Sequence, residues 1–258
     1  RQCNTACQFC TFRGKSYTFD YAKFTEVIQG ILQGGQLGKV QFTGGEPGLY
    51  IDILRKCLAI IRRLSSNSFV SVNTNGTYLA ELANVPLDNI ALSRHAVKWE
   101  DNAKIMGVTN APPVTDDEII EVAEALPNLL HLSCNLIKGY VDSPEKIKEY
   151  LDFAAGVRVY DVGFVSLMPV NKYCIDNFVD FKAIDTEKSG LFTNLNWSLK
   201  NETNKEVCRC RNYLYFSEPW QQMVSAYSRF ACEHKAIASY LVYENNELRQ
   251  GFNGQLIY

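Results

Sequence analysis

The chain has 258 residues, 47% hydrophobic and 21% charged, proportions that are ordinary for a globular protein with a full core. Its net charge of −2 argues against a nucleic-acid partner, because neutralising phosphates requires clustered Lys and Arg. No apolar run approaches the ~20 residues that span a bilayer and no signal peptide is recognisable, so we expect no membrane partner.

Nine cysteines in a chain without secretion signals favour metal binding in a reducing compartment over disulfides. Cys3, Cys7 and Cys10 stand in the spacing Cys-x3-Cys-x2-Cys within the first ten residues. Three thiolates on one loop can hold an iron–sulfur cluster and leave one iron open for a substrate or cofactor. The alternatives are unrelated core cysteines or a zinc site. Structural zinc usually takes four ligands in two Cys-x-x-Cys-type pairs, of which the chain has one.

A helix is predicted at 20–34, where apolar residues recur at helical spacing. A strand at 39–43 follows and leads into Gly44-Gly45-Glu46-Pro47. Two glycines let the backbone turn sharply and approach a ligand closely, and a carboxylate comes directly after them. Alone, this segment could be an ordinary strand-to-helix turn. Combined with the cysteine motif that precedes it, it indicates a cofactor site.

Helices and strands then alternate along the chain. The helices are predicted at 51–65, 78–84, 115–126 and 143–155, and the strands at 69–73, 89–93, 129–137 and 160–168. Thr115 and Glu118 form a capping box at the start of the third of these helices. The alternation predicts a parallel sheet with right-handed crossovers, in which ligands gather at the carboxyl ends of the strands. The segments 44–47 and 74–76 both follow such ends.

After about residue 170 the pattern changes, and we interpret 1–170 as a core domain and 171–258 as a substrate-capping region. Strands are predicted there at 194–199, 212–216, 239–243 and 247–252, with Asn245-Asn246 as a hairpin turn.

Cysteines in the second region form a further candidate metal site. Cys208 and Cys210 would share one face of a strand, Cys232 could be a third ligand, and Cys174 a fourth. An auxiliary cluster, a zinc or purely structural thiol group, and no metal at all remain open. Cys57 and Cys134 are interpreted as small core residues.

Through the Cys3, Cys7 and Cys10 motif and the segment Gly44-Gly45-Glu46-Pro47, the chain resembles the radical S-adenosylmethionine (SAM) superfamily over about residues 1–170. It is most similar to members that resemble the molybdenum-cofactor GTP cyclase and the auxiliary-cluster (SPASM/twitch) enzymes. The resemblance implies an α/β fold, a partial (βα)6 TIM-like barrel with a small C-terminal α+β extension. In the family a strand precedes the cysteine loop. Because the sequence begins at Arg1, we expect that strand to be missing from it.

The resemblance also implies the cofactors, a [4Fe–4S] cluster held by Cys3, Cys7 and Cys10 and S-adenosylmethionine bound beside it. The amino group of the methionine would be held by Gly44, Gly45 and Glu46. The full set of implied SAM-binding residues is Phe9, Gly44, Gly45, Glu46, Pro47, Thr74, Asn75 and Asn135.

The sequence departs from the family at Arg94 and His95, which stand where many relatives carry a serine followed by an aspartate. These two residues are therefore candidates for substrate contacts. His131, inside an apolar strand, is interpreted as a satisfied core histidine.

The function that the resemblance implies is reductive cleavage of SAM to a 5′-deoxyadenosyl radical, which abstracts hydrogen from a small molecule in cofactor, nucleoside or natural-product biosynthesis. A peptide-modifying enzyme and a non-catalytic iron–sulfur or zinc-binding module are the alternatives. The partners would be the substrate and an electron donor such as flavodoxin or ferredoxin. An oxygen-sensitive cluster favours the cytoplasm.

Overall fold

A computed structural model describes residues 2–10, 18–35, 37–108, 112–184, 211–217, 219–228, 241–250 and 256–257. The helices are α1 (Tyr21–Gly34), α2 (Ile51–Leu64), α3 (Leu79–Ala83), α4 (Trp99–Met106), α5 (Asp116–Ala125), α6 (Pro144–Gly156) and α7 (Lys172–Asp176). The strands are β1 (Lys39–Phe42), β2 (Phe69–Thr74), β3 (Asn89–Ser93), β4 (Leu130–Leu136), β5 (Asp161–Ser166), β6 (Arg211–Ser217), β7 (Gln222–Ser228), β8 (Leu241–Glu244) and β9 (Glu247–Gln250). None of the helices in these ranges is both long and apolar enough to cross a bilayer.

Strands β1 to β5 lie side by side in chain order and pair in parallel, which confirms the parallel sheet predicted from the alternation. Strand β7 continues the sheet in parallel with β5, and β6 pairs antiparallel with β7 at the edge. The fold is therefore α/β with a mainly parallel sheet, consistent with a partial TIM-like barrel. Among the described strands the sheet does not close, since β1 and β6 are its edges.

The C-terminal region contains both confirmed and unexpected elements. Strands β6, β8 and β9 lie where strands were predicted, and Asn245 and Asn246 form the turn between β8 and β9 with positive φ angles. The predicted strand at 194–199 lies outside the described residues. Strand β7 was not predicted, and with β6 it extends the same sheet beyond residue 170. The domain boundary at 170 stays a prediction.

Helix α4 was also not predicted; its segment Trp99–Met106 has only eight residues, of which half are polar. Its signals are local: Glu100 and Asp101 in the first turn favour the helix dipole, and Gly107 ends the helix in the left-handed conformation. The predicted cap of α5 is confirmed in part, since the Thr115 hydroxyl accepts a hydrogen bond from the Glu118 N–H at 3.1 Å.

The two faces of the sheet differ in chemistry. One face packs against the helices through buried residues such as Val70, Ile90 and Leu132. The other, which we call the polar face, carries small polar side chains at paired positions of neighbouring strands. On the first four strands these are Gln41, Ser71, Asn73, Asn89, Ser93, His131, Ser133 and Asn135. The alternation follows from the two-residue repeat of a strand.

The turn after β2 gives the first testable prediction. Gly76 has a φ of 91°, and a Cβ there would lie 2.6 Å from Leu92 Cδ1 and 2.9 Å from Val114 Cγ2. Because the substitution adds both backbone strain and a clash, Gly76→Ala should lower the free energy of unfolding by about 1–3 kcal/mol in urea titrations. Gly156→Ala is the control, since no atom lies within 4 Å of its added Cβ at the end of α6. Equal losses in both variants would contradict this account.

Candidate functional site

The cysteine loop, residues 2–10, is tied to the carboxyl ends of the parallel strands. Directly after β1, the backbone N–H of Glu46 donates to the carbonyl of Gln2 at 2.8 Å. At the end of α4, the carbonyl of Met106 accepts a hydrogen bond from the Ala6 N–H at 2.9 Å. The start and the middle of the loop are therefore held by two elements that are far apart in the sequence.

The second half of the loop is held by α7 and by the end of β3. The Asn171 side-chain amide donates to the carbonyl of Gln8 at 3.0 Å, and the Cys174 thiol donates to the carbonyl of Phe9 at 3.8 Å. The Phe9 ring meets the His95 ring edge to face, with centroids 5.1 Å apart. Phe9, the aromatic residue before the third cysteine, is thus held against the end of β3.

A polar network joins the loop to the turn after β2. The Asn75 side-chain amide donates to Asn4 Oδ1 at 2.7 Å, and the Asn4 amide donates to Thr77 Oγ1 at 3.0 Å. The Thr77 N–H in turn donates to Asn75 Oδ1 at 3.0 Å. The network brings Asn75, a predicted SAM-binding residue, beside the cysteine loop, although its side chain is already engaged by protein partners.

The three thiols of the loop lie close enough to influence one another. Thr5 Oγ1 is 3.1 Å from the sulfur of Cys3 and 3.6 Å from that of Cys7. Burial, with smaller contributions from the neighbouring charges of Cys10 and Cys3, raises the pKa of Cys7 to about 11, against a hydrogen bond with Thr5. A bound metal centre would oppose this shift, because it stabilises thiolates directly.

The spacing of the three thiols along one loop suits an iron–sulfur cluster. In the described part of the chain, no three His, Cys, Asp or Glu side chains converge on a point where one metal ion would sit. A zinc ion needs such convergence, with Zn–S distances of about 2.3 Å. In a [4Fe–4S] cluster each thiolate binds a different iron, so three ligands spread along a loop are suitable. Cys3, Cys7 and Cys10 could therefore hold the cluster.

The Glu46 carboxylate lies inside the protein, with 1% of the residue exposed. One oxygen accepts hydrogen bonds from the Gly48 N–H at 2.9 Å and the Thr74 hydroxyl at 2.7 Å, and the other accepts one from the Asn75 N–H at 2.8 Å. Burial raises the pKa of this carboxyl, and the three hydrogen bonds oppose the shift. The carboxylate therefore joins the turns after β1 and β2 and presents almost no surface to a ligand.

The turn before Glu46 is formed by two glycines. Gly44 and Gly45 have φ angles of 83° and 63°, in the left-handed region that favours glycine. Pro47 then begins a short 3-10 helix, Pro47–Tyr50, that leads into α2. The turn lies beside the loop anchor at Gln2 and could bring peptide groups close to a cofactor held by the cysteines.

Arg94 lies among protein partners, with 2% of the residue exposed. Its guanidinium donates to the Val97 carbonyl at 2.6 Å and pairs with Asp116 at 3.4 Å. It also stands over the rings of Trp99 and Phe153, at 5.5 and 5.2 Å from their centroids. Burial lowers its pKa, against the charge of Asp116. The structure does not bring this side chain to a surface that a substrate could reach.

His95 is buried between the loop and β4. Its Nδ1 accepts a hydrogen bond from the Asn135 N–H at 3.1 Å, and the backbone N–H of His95 donates to Asn102 Oδ1 at 2.6 Å. Burial lowers the pKa of His95 to about 4, opposed by a hydrogen bond with the Ser133 backbone. The ring is therefore neutral at pH 7. It contacts both the Phe9 ring and the Asn135 backbone, two residues that the sequence predicts to bind SAM.

The remaining cysteines divide into two groups. Cys57, Cys134 and Cys174 are buried, the first two in the main core and Cys174 against the cysteine loop. Burial raises the pKa of all three. Cys208, Cys210 and Cys232 lie outside the described residues, so the auxiliary site predicted for them stays a prediction.

One pair of residues on the polar face was missed by the sequence analysis. His131 Nδ1 lies 2.9 Å from Asp161 Oδ1, at the starts of β4 and β5. The sequence feature that could have revealed the position of His131 is the strict alternation in Leu-His-Leu-Ser-Cys-Asn-Leu, residues 130–136. It places His131 on the face opposite the leucines.

Exchanging Glu46 for glutamine tests the buried carboxylate. Both oxygens accept hydrogen bonds, so Glu46→Gln turns an amide NH2 towards a donor. We expect the free energy of unfolding to fall by about 1–3 kcal/mol and SAM binding to weaken as the turns shift. Glu121→Gln, the same change at an exposed position of α5, should stay within about 0.5 kcal/mol. Urea unfolding and SAM titration of both variants measure this, and a neutral Glu46→Gln would refute it.

The pKa of His95 predicts a pH dependence of stability. Because the folded-state value of about 4 lies below the unfolded value of about 6.5, the neutral ring stabilises the fold above pH 6.5. This contribution is lost as the pH falls from 6.5 towards 4. The difference in unfolding free energy between the wild type and His95→Gln should fall by about 3 kcal/mol between pH 7.5 and pH 4. A difference that does not change with pH would argue against a buried neutral histidine.

Comparisons with known structures agree with the fold described above. Streptococcus suis SuiB bound to its precursor peptide SuiA is 20% identical, with a TM-score of 0.57 over 74% of this chain and 44% of that one. SuiB bound to S-adenosylmethionine is 19% identical, with a TM-score of 0.56 over 78% and 48%. A radical SAM methyltransferase from Sphaerobacter thermophilus is 18% identical, with a TM-score of 0.56 over 72% and 60%. At these identities the likeness concerns the fold alone, and the chain spans less than two thirds of each of these structures.

Sequence comparison gives the family directly. No curated protein matches the chain. The sequence profile of the Radical SAM superfamily, whose members use a [4Fe–4S] cluster and S-adenosylmethionine, matches residues 1–154, which is more than half of the chain. Together with the cysteine loop and the Gly-Gly-Glu-Pro turn that face each other in the fold, this match shows that the chain belongs to the Radical SAM superfamily.

Proposed function

We propose that this chain is a catalytic member of the superfamily, which cleaves SAM reductively at a [4Fe–4S] cluster held by Cys3, Cys7 and Cys10. The observation that carries the proposal is the hydrogen bond between Glu46 and Gln2, which fixes the cysteine loop against the Gly-Gly-Glu-Pro turn. A module that only stored a cluster or bound zinc would have no need of this second element beside the thiols.

The chain's own residues bind and orient the cofactors. The thiolates of Cys3, Cys7 and Cys10 are the cluster ligands, and they leave one iron without a protein ligand. The backbone at Gly44 and Gly45 receives the methionine amino group, while Glu46 holds that turn from behind. Phe9 and Asn135, aligned by His95, line the side on which the adenosine would lie.

Bound together, cluster and SAM supply a 5′-deoxyadenosyl radical that removes hydrogen from a substrate C–H bond. The protein's contribution is to place that bond next to the cofactor and to exclude water. No protein base is required for the cleavage itself, so we assign none.

For the substrate we propose a small molecule of cofactor, nucleoside or natural-product biosynthesis. The support is the polar face, whose hydroxyl and amide side chains suit a compact hydrogen-bonding ligand. A peptide substrate is the second candidate, because the fold is similar to that of SuiB bound to its precursor peptide SuiA. An electron donor such as flavodoxin or ferredoxin and a cytoplasmic location complete the proposal.

Substitution of a single cysteine tests the proposed cleavage. Cys7→Ala should hold little or no cluster and produce no 5′-deoxyadenosine from SAM under anaerobic reduction, because one iron loses its ligand. Cys57→Ala, a buried thiol on α2, is the matched control and should retain both the iron and the activity. Iron analysis and chromatography of the nucleoside product measure the outcome. A Cys7→Ala variant that still forms 5′-deoxyadenosine would refute the proposal.

The same iron analysis addresses the auxiliary site. If Cys208, Cys210 and Cys232, with Cys174, bind a second [4Fe–4S] cluster, the wild type should hold roughly eight irons in place of four. Because Cys174 packs against the Phe9 carbonyl, Cys174→Ala separates its two possible roles. Loss of about four irons with 5′-deoxyadenosine formation retained would assign it to the auxiliary site, and loss of 5′-deoxyadenosine formation would assign it to support of the cysteine loop.

A further inference from the structure

A cavity of about 470 Å³ lies at the amino ends of β4, β5 and β7, at the opposite end of the strands from the cysteine loop. Its volume is within the range of small-molecule binding sites in proteins. Strand β4, which contributes Leu130 to the wall of the cavity, has seven residues and is about 20 Å long. A ligand in the cavity therefore stays out of contact with the proposed cofactors, and the cavity is a place for binding rather than for chemistry.

The walls of the cavity combine buried apolar side chains with charged side chains at the surface. Leu130 and Val159 are 3% and 2% exposed, and Met223, which is 40% exposed, extends the apolar wall outwards. Arg158 and Asp161 also line the cavity, with 58% and 47% of their side chains exposed. This combination suits a ligand that has an apolar body and two groups of opposite charge.

Both charged side chains keep polar atoms available for a ligand. Arg158 pairs with Glu124 through its Nε at 2.7 Å, and Asp161 Oδ1 lies 2.9 Å from His131 Nδ1. In the part of the chain that the structure describes, no other hydrogen bond or ion pair engages the side chain of Arg158 or Asp161. A guanidinium has five N–H donors and a carboxylate has two acceptor oxygens. The terminal amines of Arg158 and Oδ2 of Asp161 therefore remain for a ligand.

The backbone at Arg158 favours a different residue type. The Val159 N–H donates to the Ala154 carbonyl at 2.9 Å and the Arg158 N–H to the Ala155 carbonyl at 3.0 Å, which is the Schellman motif at the end of α6. Arg158 has a φ of 59°, in the left-handed region, at the position of this motif where glycine is the usual residue. The turn therefore does not explain an arginine there, whereas a guanidinium at the mouth of the cavity does.

We propose that the cavity binds a free α-amino acid with an apolar side chain. Its carboxylate accepts from Arg158, its ammonium group donates to Asp161, and its side chain lies against the apolar wall. Arg158 and Asp161 are separated by at most about 10 Å of extended chain, so the two charges that they bind must be close together, as they are on the α-carbon of an amino acid. A peptide carries its terminal charges further apart. The inference goes beyond the proposed function and does not depend on it.

Isothermal titration calorimetry of the full chain with its reconstituted cluster and saturating SAM tests the site, because SAM fills the other place where an α-amino acid group would bind. The probes are L-phenylalanine, 3-phenylpropionate, which lacks the ammonium group, and 2-phenylethylamine, which lacks the carboxylate. We expect L-phenylalanine to bind with one-to-one stoichiometry and about tenfold or more tightly than either comparison, since each comparison leaves one charged side chain without its partner. Titrations without SAM should give the same affinity, because the cavity lies away from the cofactors.

Variants assign the binding to the two charged side chains. Arg158→Gly should weaken the binding of L-phenylalanine by about tenfold or more without lowering the thermal midpoint of unfolding, because glycine adopts the left-handed conformation without strain. Asp161→Asn should weaken it to a similar extent. Arg55→Gln and Asp52→Asn, which remove the partners of an exposed ion pair on α2, are the matched controls and should bind as the wild type does.

Three outcomes would overturn the proposal. The first is the absence of saturable binding of L-phenylalanine, and the second is equally tight binding of 3-phenylpropionate or 2-phenylethylamine. The third is wild-type affinity in Arg158→Gly or Asp161→Asn. Loss of L-phenylalanine binding on addition of SAM would place the amino acid in the cofactor site and would also refute it. Failure to form 5′-deoxyadenosine would refute the proposed function and leave these results unchanged.

Discussion

The geometry of the site depends on one buried carboxylate. Glu46 is attached to three parts of the chain: its backbone to the cysteine loop at Gln2, and its side chain to the 3-10 turn at Gly48 and to the turn after β2. Removing a carboxylate from water costs several kcal/mol, so such a group needs hydrogen-bond donors for its oxygens. Here the two oxygens accept three hydrogen bonds, and these bonds fix the position of the turn after β1 relative to the turn after β2.

The cysteine loop has little regular structure of its own, so its shape is imposed by what surrounds it. Its carbonyls and N–H groups bond to Met106, to Asn171 and to Cys174, residues that follow β3 and β5. Such anchoring matters because burial, with a smaller contribution from neighbouring charge, raises the pKa of Cys7 to about 11. A rigid loop keeps the three thiols together, and a bound metal centre would stabilise their thiolate forms.

Local signals in the sequence were sufficient for the parallel sheet, the cysteine motif and the Gly-Gly turn, because each depends on spacing within a few residues. They were insufficient for features that depend on contacts between distant parts of the chain. Strand β7 enters the sheet between β5 and β6, out of chain order, which only tertiary packing determines. Arg94 follows a strand end, where a substrate-binding residue is expected. Its guanidinium is instead bound to the Val97 carbonyl and Asp116 and lies over the rings of Trp99 and Phe153. The alternation around His131 was present in the sequence but is meaningful only once one face of the sheet is known to be polar.

The departure from the family at Arg94 and His95 concerns support of the site more than contact with a substrate. A buried neutral imidazole can meet the Phe9 ring edge to face and accept from the Asn135 N–H at once, which an aspartate at the same position could not do. The Arg94 carbonyl accepts a hydrogen bond from the buried Tyr150 hydroxyl at 2.7 Å, which fixes the backbone that carries His95. Because both side chains face protein, neither is available for the substrate contacts that their place at a strand end suggested.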